Sequence, residues 1–214
     1  MKYLIPFLFF CQMLNAQIDI GTGVAAFQYF GFQDPNKAFH TGIKLTAGIE
    51  MNYDYYNARY FYYPFGSYSI PVQAIPYSGG QSINSSVTAF STAQDYQLGY
   101  IRWFSDPYDE TLGFGLSTNL GFVENTVTYK ADHNPLEYYS PNYIEGDYDR
   151  SRFVYTDVGL NLMYRSEIGN FNANFSVAMV GNIYGIIYIN TSNHGYFYRM
   201  TVGYSYPFDL GGSD

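Results

Sequence analysis

The chain has 214 residues, a formal net charge of −8 and an aromatic content of 21%, with 26 Tyr against one Trp. That length fits one domain, and the acidic balance argues against a nucleic-acid partner. No run beyond the first residues approaches the ~18 uninterrupted apolar residues that a membrane-spanning helix demands.

The opening MKYLIPFLFFCQMLNAQ sets Lys2 before an apolar run from Tyr3 to Met13, with small Ala16 before Gln17. This is the layout of a secretory signal peptide over 1–16, cleaved after Ala16, with one domain expected over 17–214. Lipidation at Cys11 is the competing reading, but Phe9 and Phe10 stand where small residues are needed. Without Cys11 the mature chain has no cysteine, so disulfides and thiol chemistry are excluded, and loss of Lys2 takes its charge to about −9.

Ile18–Phe30 reads as a first strand, with Ile18, Ile20, Val24 and Ala26 on one side, and Gly31–His40 as a loop around Asp34-Pro35-Asn36. Thr41–Tyr56 carries the cleanest signal. Ile43, Leu45, Ala47, Ile49, Met51, Tyr53 and Tyr55 alternate with Gly42, Lys44, Thr46, Gly48, Glu50, Asn52 and Asp54. One face is apolar and the other polar or glycine, which is the period of a strand. Its length exceeds the ~9–11 residues a tilted strand needs to cross a bilayer. Tyr53 and Tyr55 are expected as outward interface anchors. A third strand is placed at Ser67–Tyr77, because Pro64, Pro71 and Pro76 interrupt the aromatic cluster of Tyr60–Phe65 and its sequel, and proline belongs at strand ends, edges or bulges. Ser78–Thr92 is rich in Ser, Gly and Asn and reads as a long loop.

Gln94–Phe104 is the fourth strand, with Tyr96, Leu98 and Tyr100 outward and a bulge expected to bring Ile101 and Trp103 to the same side. The fifth puts Leu112, Phe114, Leu116, Thr118, Leu120 and Phe122 opposite Gly113, Gly115, Ser117, Asn119 and Gly121. Lys130–Arg152 reads as a polar loop. Phe153–Arg165 sets Val158, Leu160, Leu162 and Tyr164 against Asp157, Gly159, Asn161 and Arg165. After a tight turn, Asn170–Ile187 sets Phe171, Ala173, Phe175, Val177 and Met179 against Asn172, Asn174, Ser176 and Asn182. Gly195–Phe208 closes the series after a loop at Asn190–His194.

Eight strands result, an even number, and the links after the fourth and sixth are short while those after the third and fifth are long. The link after the second strand breaks this alternation. A soluble barrel also accommodates eight strands, with its polar face outside. The polar faces here are small and nearly uncharged, with neither Lys nor Glu from Gly113 to Gly121. Such residues suit a crowded interior rather than a surface in water. The expected fold is therefore all-β, an eight-stranded antiparallel transmembrane β-barrel facing lipid, with short turns and both termini on the periplasmic side.

Two segments carry a family resemblance. Thr201, Gly203, Tyr206 and Phe208 stand where the assembly signal of outer-membrane barrel proteins has a polar residue, then glycine two on and aromatics five and seven on. The family usually ends on that last aromatic, whereas DLGGSD follows here. Tyr68-Ser69-Ile70-Pro71-Val72 resembles the aromatic-x-Ile-Pro-aliphatic segment of the small bacterial outer-membrane barrels called the porin family. The resemblance implies a Gram-negative outer membrane, its lipid and lipopolysaccharide as surroundings, and the barrel-assembly machinery as a partner.

Lys44, Glu50, Asp157, Arg165 and Arg199 all fall on inward positions and are expected to form a lumenal charge network, either as a structural plug or along a narrow conduction path. Glu145, Asp147 and Asp149, with Asp132 and Glu137 nearby, make an acidic loop that is either solvated or a weak site for divalent cations or lipopolysaccharide-associated ions. His40, His133 and His194 all fall in predicted loops, and no spacing fixes a Ser/His/acid trio. No phosphate loop, metal-binding His pair or nucleophile elbow is present, so neither an enzyme nor a cofactor or metal site is expected. The loop aromatics Tyr138, Tyr139, Tyr143 and Tyr148 read as rim or loop packing, with contact to an extracellular ligand or protein as the alternative. The functional expectation is a structural or surface-interaction barrel acting through its loops. A narrow pore or a conduit for small apolar molecules is the alternative from another class.

Overall fold

The computed structural model describes residues 17–30, 40–51, 53–105, 111–142, 144, 146, 148–181 and 195–209. Eight long strands form one antiparallel sheet: β1 (Gln17–Phe30), β2 (His40–Met51), β3 (Asp54–Pro76), β4 (Ile83–Trp103), β5 (Leu112–Ala131), β7 (Tyr148–Ser166), β8 (Gly169–Gly181) and β9 (Gly195–Asp209). A two-residue strand, β6 (Tyr138–Tyr139), adds to the far end of β3. The sheet order β2-β1-β9-β8-β7-β5-β4-β3 is completed by pairing of β2 with β3, so the sheet closes on itself. Closure gives every strand two neighbours, which an apolar medium requires because it satisfies no backbone N–H or C=O.

Side-chain parity holds around the ring. On β5, Leu112, Phe114, Leu116 and Leu120 are exposed, while Gly113, Gly115, Ser117, Asn119 and Gly121 are buried. β2, β7, β8 and β9 repeat the pattern. The outside is thus apolar and the inside polar. At ~3.3 Å per residue and a tilt near 45°, Leu112 to Phe122 spans roughly 23 Å, close to the ~25 Å apolar band of membrane barrels.

Chain order places the links after β2, β4 and β7 at the end where the described chain starts and finishes, and the remaining links at the other. These will be called the turn end and the loop end. The irregular link in the sequence pattern is resolved here. β2 stops at Met51, which pairs with Asp54 of β3, so the link after the second strand is a two-residue hairpin connection.

That turn corrects the sequence reading. Tyr53 sits at the turn, and Tyr55 belongs to β3 and points inward, 5% exposed, with its hydroxyl donating to Asp19 at 2.5 Å. The third strand also begins thirteen residues before the expected Ser67 and runs to Pro76. The aromatic cluster is part of it, with Phe61 and Tyr63 inward. Proline is accommodated in two ways. Pro64 lies at a register shift between Pro64 and Gly66, and beyond Tyr62 the described pairing partners of β3 are β4 and, at its tip, β6, so few ladder donors are lost. The expected loop over Ser78–Thr92 is largely strand, since β4 starts at Ile83. Its Ser, Thr and Asn side chains bond across the sheet, as in Gln73–Asn84 at 2.5 Å and Ser91–Asn125 at 3.1 Å, while Val87 and Ala89 form its buried face.

Ile101 and Trp103 are likewise corrected. Regular β4 pairing holds through this region, and both side chains are buried in the lumen, 3% and 2% exposed. The loop expected over Lys130–Arg152 is narrower than its limits, because β5 continues to Ala131 and β7 starts at Tyr148. β8 is described to Gly181; Asn182 and the expected continuation to Ile187 lie outside the described residues.

Candidate functional site

The lumen is the first candidate, and three layers fill it. At the loop end, Phe27, Phe61, Tyr63, Tyr155 and Phe197 pack with Ala25, Ala93, Ala178, Val123 and Val180. Their rings meet edge to face, Phe27 with Tyr63 at 4.5 Å and Tyr155 with Phe197 at 4.9 Å, the arrangement ring quadrupoles favour. At the turn end, Tyr55, Ile101, Trp103 and Met163 form a smaller apolar cluster. A belt of buried polar and charged side chains lies between the two.

Arg199 of β9 is the hub of that belt. Its Nη2 donates to Asp95 Oδ2 at 2.5 Å and to the Tyr155 hydroxyl at 2.8 Å, and Nη1 lies 3.9 Å from Asp157. The guanidinium also lies 4.4 Å from the centre of the Phe61 ring and 5.1 Å from those of Tyr155 and Phe197. Desolvated contacts of this kind contribute about 2 kcal/mol each. The Tyr155 hydroxyl donates to the Asp95 carboxylate at 2.9 Å. Asp157 accepts from Gln97 Nε2 at 2.7 Å and from Asn119 Nδ2, and Gln97 Oε1 accepts from Arg59 at 3.3 Å. Asp95 and Asp157 therefore each have both a cation and neutral donors, which burial of an ionised group demands.

The other inward charges pair separately. Arg165 donates to Glu50 at 2.9 Å and lies 5.7 Å from the Trp103 ring centre, tying charge to the turn-end cluster. Lys44 donates to Asn172 Oδ1 at 2.9 Å. The structure thus brings Asp157 together with Arg199 and Glu50 together with Arg165, and sets Lys44 against an amide. Sequence reading did not name Asp95, Asp19, Arg59 and Tyr155. Two strand glycines make room for this filling: a Cβ at Gly48 would collide with the Tyr55 ring, and one at Gly121 with the Tyr155 ring.

Between the layers, a cavity of about 20 Å³ lies among Asp19, Lys44, Arg59, Asn161, Asn172 and Asn174. That is room for about one water molecule.

The loop-end candidates are less assembled. His133 Nδ1 lies 3.1 Å from Ser85 Oγ and Nε2 lies 3.5 Å from Ser140 Oγ. Asp132, the adjacent carboxylate, accepts instead from Ser86 and Thr88. A hydroxyl is thus near the imidazole, but its neighbouring acid is engaged elsewhere. His40 opens β2 with its ring 5.3 Å from that of Phe27. Of the acidic loop, Glu145 and Asp147 lie outside the described residues, and Asp149 is placed only as a backbone position of β7 paired with Val127. Tyr143 and His194 also lie outside them. Among the described residues, no group of three or more His, Cys, Asp or Glu is arranged to hold a metal. On β9, Thr201 and Gly203 face inward, while Tyr206 and Phe208 face outward with ring centres 5.1 Å apart, opposite Ile20 and Ile18 of β1.

No protein-family model and no curated protein matches the chain by sequence. Solved structures do match by shape. Neisserial surface protein A is similar over 90% of this chain and 97% of its own, with a TM-score of 0.55 and 10% identity. A major outer membrane protein from Thermus thermophilus is similar over 90% of this chain and 99% of its own, with a TM-score of 0.52 and 9% identity. Strand count, closure, parity and these likenesses agree, and the chain has the fold of the small eight-stranded outer-membrane β-barrels.

Proposed function

We propose that this is an outer-membrane barrel whose lumen is a closed structural core, and that it acts at the cell surface through its loop end. The observation that carries this is the filled interior. Two apolar layers bracket a belt of paired charges, and the cavity beside that belt measures about 20 Å³. A hydrated ion passing through would have to displace Phe61, Tyr155 and Phe197 above the belt and Trp103 below it.

Outward placement of the loop end is supported by the rule that short turns lie on the periplasmic side, since the links after β2 and β7 are two residues each. The link after β3, expected to be long, is however shorter than that after β4. Among the described residues the loop end is also lopsided, which supports a recognition role. β2 pairs with β3 only as far as Ile43 and Tyr62, whereas β3 and β4 continue together to Ala74 and Ile83. Tyr77 just past β3, Tyr139 on β6, and Leu136 and Ile144 in the link between β5 and β7 are exposed, with the Tyr77 and Tyr139 ring centres 5.2 Å apart. Exposed aromatic and aliphatic side chains clustered at turns and links suit protein or glycan contact.

Planar-bilayer recording on refolded protein tests the closed lumen: no stable open level is expected from wild type. A reproducible large conductance would return the narrow-pore alternative to first place. A heat-modifiable gel shift on the same sample shows independently whether the barrel formed.

A further inference from the structure

The charges on the outer wall are unevenly distributed. Among the described residues, Lys44, Arg59, Arg165 and Arg199 face the lumen, and Arg102 pairs with Asp54 at 2.7 Å at the turn end. The remaining cations, Lys130, Arg150 and Arg152, face outward at the loop end on the adjacent strands β5 and β7. Arg150 and Arg152 both approach Glu124 through Nε, at 3.3 and 2.8 Å, so one carboxylate orients two guanidinium planes. Lys130 lies further along β5, about 13 Å past the rung of Arg150 at ~3.3 Å per residue. Asp132, just beyond, accepts from the hydroxyls of Ser86 and Thr88.

Below these cations the wall is recessed. Ala47 pairs with Ala58, Ala58 with Leu98 and Leu98 with Leu120, so one rung of the sheet pairs two of its smallest side chains. The rungs on either side carry tyrosine pairs, Tyr60 with Tyr96 and Tyr56 with Tyr100, each with ring centres 5.3 Å apart. The result is an almost wholly apolar groove of about 860 Å³ running across the wall from Leu45 to Val154. The next outward side chains along β7 from Val154 are Arg152 and Arg150. An apolar groove thus ends beside a cluster of guanidiniums, at the level where the apolar belt gives way to polar residues.

We propose that this groove and cluster bind one phosphorylated saccharolipid of the outer leaflet, an acyl chain lying over Ala47 and Ala58 and its phosphates on Arg150, Arg152 and Lys130. The guanidinium fork matches phosphate oxygens two at a time. Cations spread over about 13 Å, four residues at ~3.3 Å each, suit a headgroup with more than one phosphate better than a single-phosphate phospholipid. The inference rests on the outer-membrane reading and adds a ligand class and a place to it.

The test is lipid retention by the refolded full barrel in neutral detergent, read by native mass spectrometry with three probes. These are bis-phosphorylated lipid A, the same lipid dephosphorylated, and phosphatidylglycerol. Wild type is expected to retain lipid A preferentially. The Arg150→Gln/Arg152→Gln variant should lose about tenfold in affinity, as expected for deleting charged hydrogen bonds. Ala58→Leu, which fills the recess, should also weaken binding. Glu124→Gln should strengthen it by removing the competing carboxylate, a gain that misfolding cannot mimic. Unchanged binding in the charge and recess variants, or equal retention of dephosphorylated lipid A, overturns the proposal. Equal retention of phosphatidylglycerol overturns the assignment to a saccharolipid. A heat-modifiable band in every variant confirms the barrel, and its absence in wild type refutes the outer-membrane reading itself.

Discussion

Arg199 and Asp95 meet at 2.5 Å from opposite sides of the lumen, β9 and β4, with side chains only 3% and 1% exposed. Neither charge has water to fall back on, so the pair is held by mutual attraction together with Tyr155 and the flanking rings. Removing one partner leaves the other charged and buried. Asp95→Ala or Arg199→Ala is therefore expected to cost about 3–5 kcal/mol. The double replacement Asp95→Leu/Arg199→Met should cost clearly less than the sum of the single ones. Urea titration of the heat-modifiable band measures both, and additive losses contradict the coupling.

Trp103 is the sole tryptophan and lies buried beside Arg165, which Glu50 holds in place. Its emission is therefore a report on the turn-end cluster alone. Native protein should emit at short wavelength. Glu50→Ala should destabilise the fold by about 3–5 kcal/mol and redden the emission before global unfolding. An emission indistinguishable from wild type through the early part of the urea curve contradicts this.

The tyrosine rings of the lumen stand over glycines of the neighbouring wall. Gly121→Val places a branched side chain where the Tyr155 ring lies, and Tyr155 cannot retreat without leaving Asp95 and Arg199. Overpacking costs typically about 1–3 kcal/mol, and here the hub is disturbed as well. The variant should refold in markedly lower yield by the gel-shift assay, and Gly121→Val/Tyr155→Ala should recover part of it.

The outer wall predicts a position-dependent penalty. Leu98 lies mid-belt and is 67% exposed, yet Leu98→Arg should cost about 2–4 kcal/mol in bilayers, since the exposure is to lipid. Leu136, 87% exposed beyond the loop end, should accept Arg with little change. Equal tolerance at both positions argues that the apolar face does not meet lipid.

How much of this was legible in the chain depends on where each residue lies relative to the membrane. Within the belt, parity alone places Lys44, Glu50, Asp157 and Arg165 in the lumen, and the same rule applied to Asp19, between Ile18 and Ile20, or to Asp95, beside Tyr96, would have found both. Above the belt the outward face is polar and the inward one is carried by small Val87 and Ala89 alone, so amid Ser82, Asn84, Ser85, Ser86 and Thr88 the composition reads as loop. Pro64 and Pro71 concealed β3 because sequence shows a missing N–H but not which side of the strand needed it. Trp103 was misplaced because rings belong at membrane interfaces and in barrel cores alike. The partners of Arg199 lie on β3, β4 and β7, and no local pattern connects them.

The position of Arg199 on β9 gives the interior a built-in order of completion. Asp95 and Asp157 are delivered by β4 and β7, while the cation that answers both stands on β9, across the β1–β9 seam. Until β9 docks against β1, an assembling sheet carries two acids facing a space from which their counter-charge is missing, and its apolar layer lacks Phe197. A half-made cylinder is thus electrostatically unfinished and has reason to stay open and hydrated. Seating of β9 both seals the seam and neutralises the core, so closure of the sheet and drying of its interior are a single event.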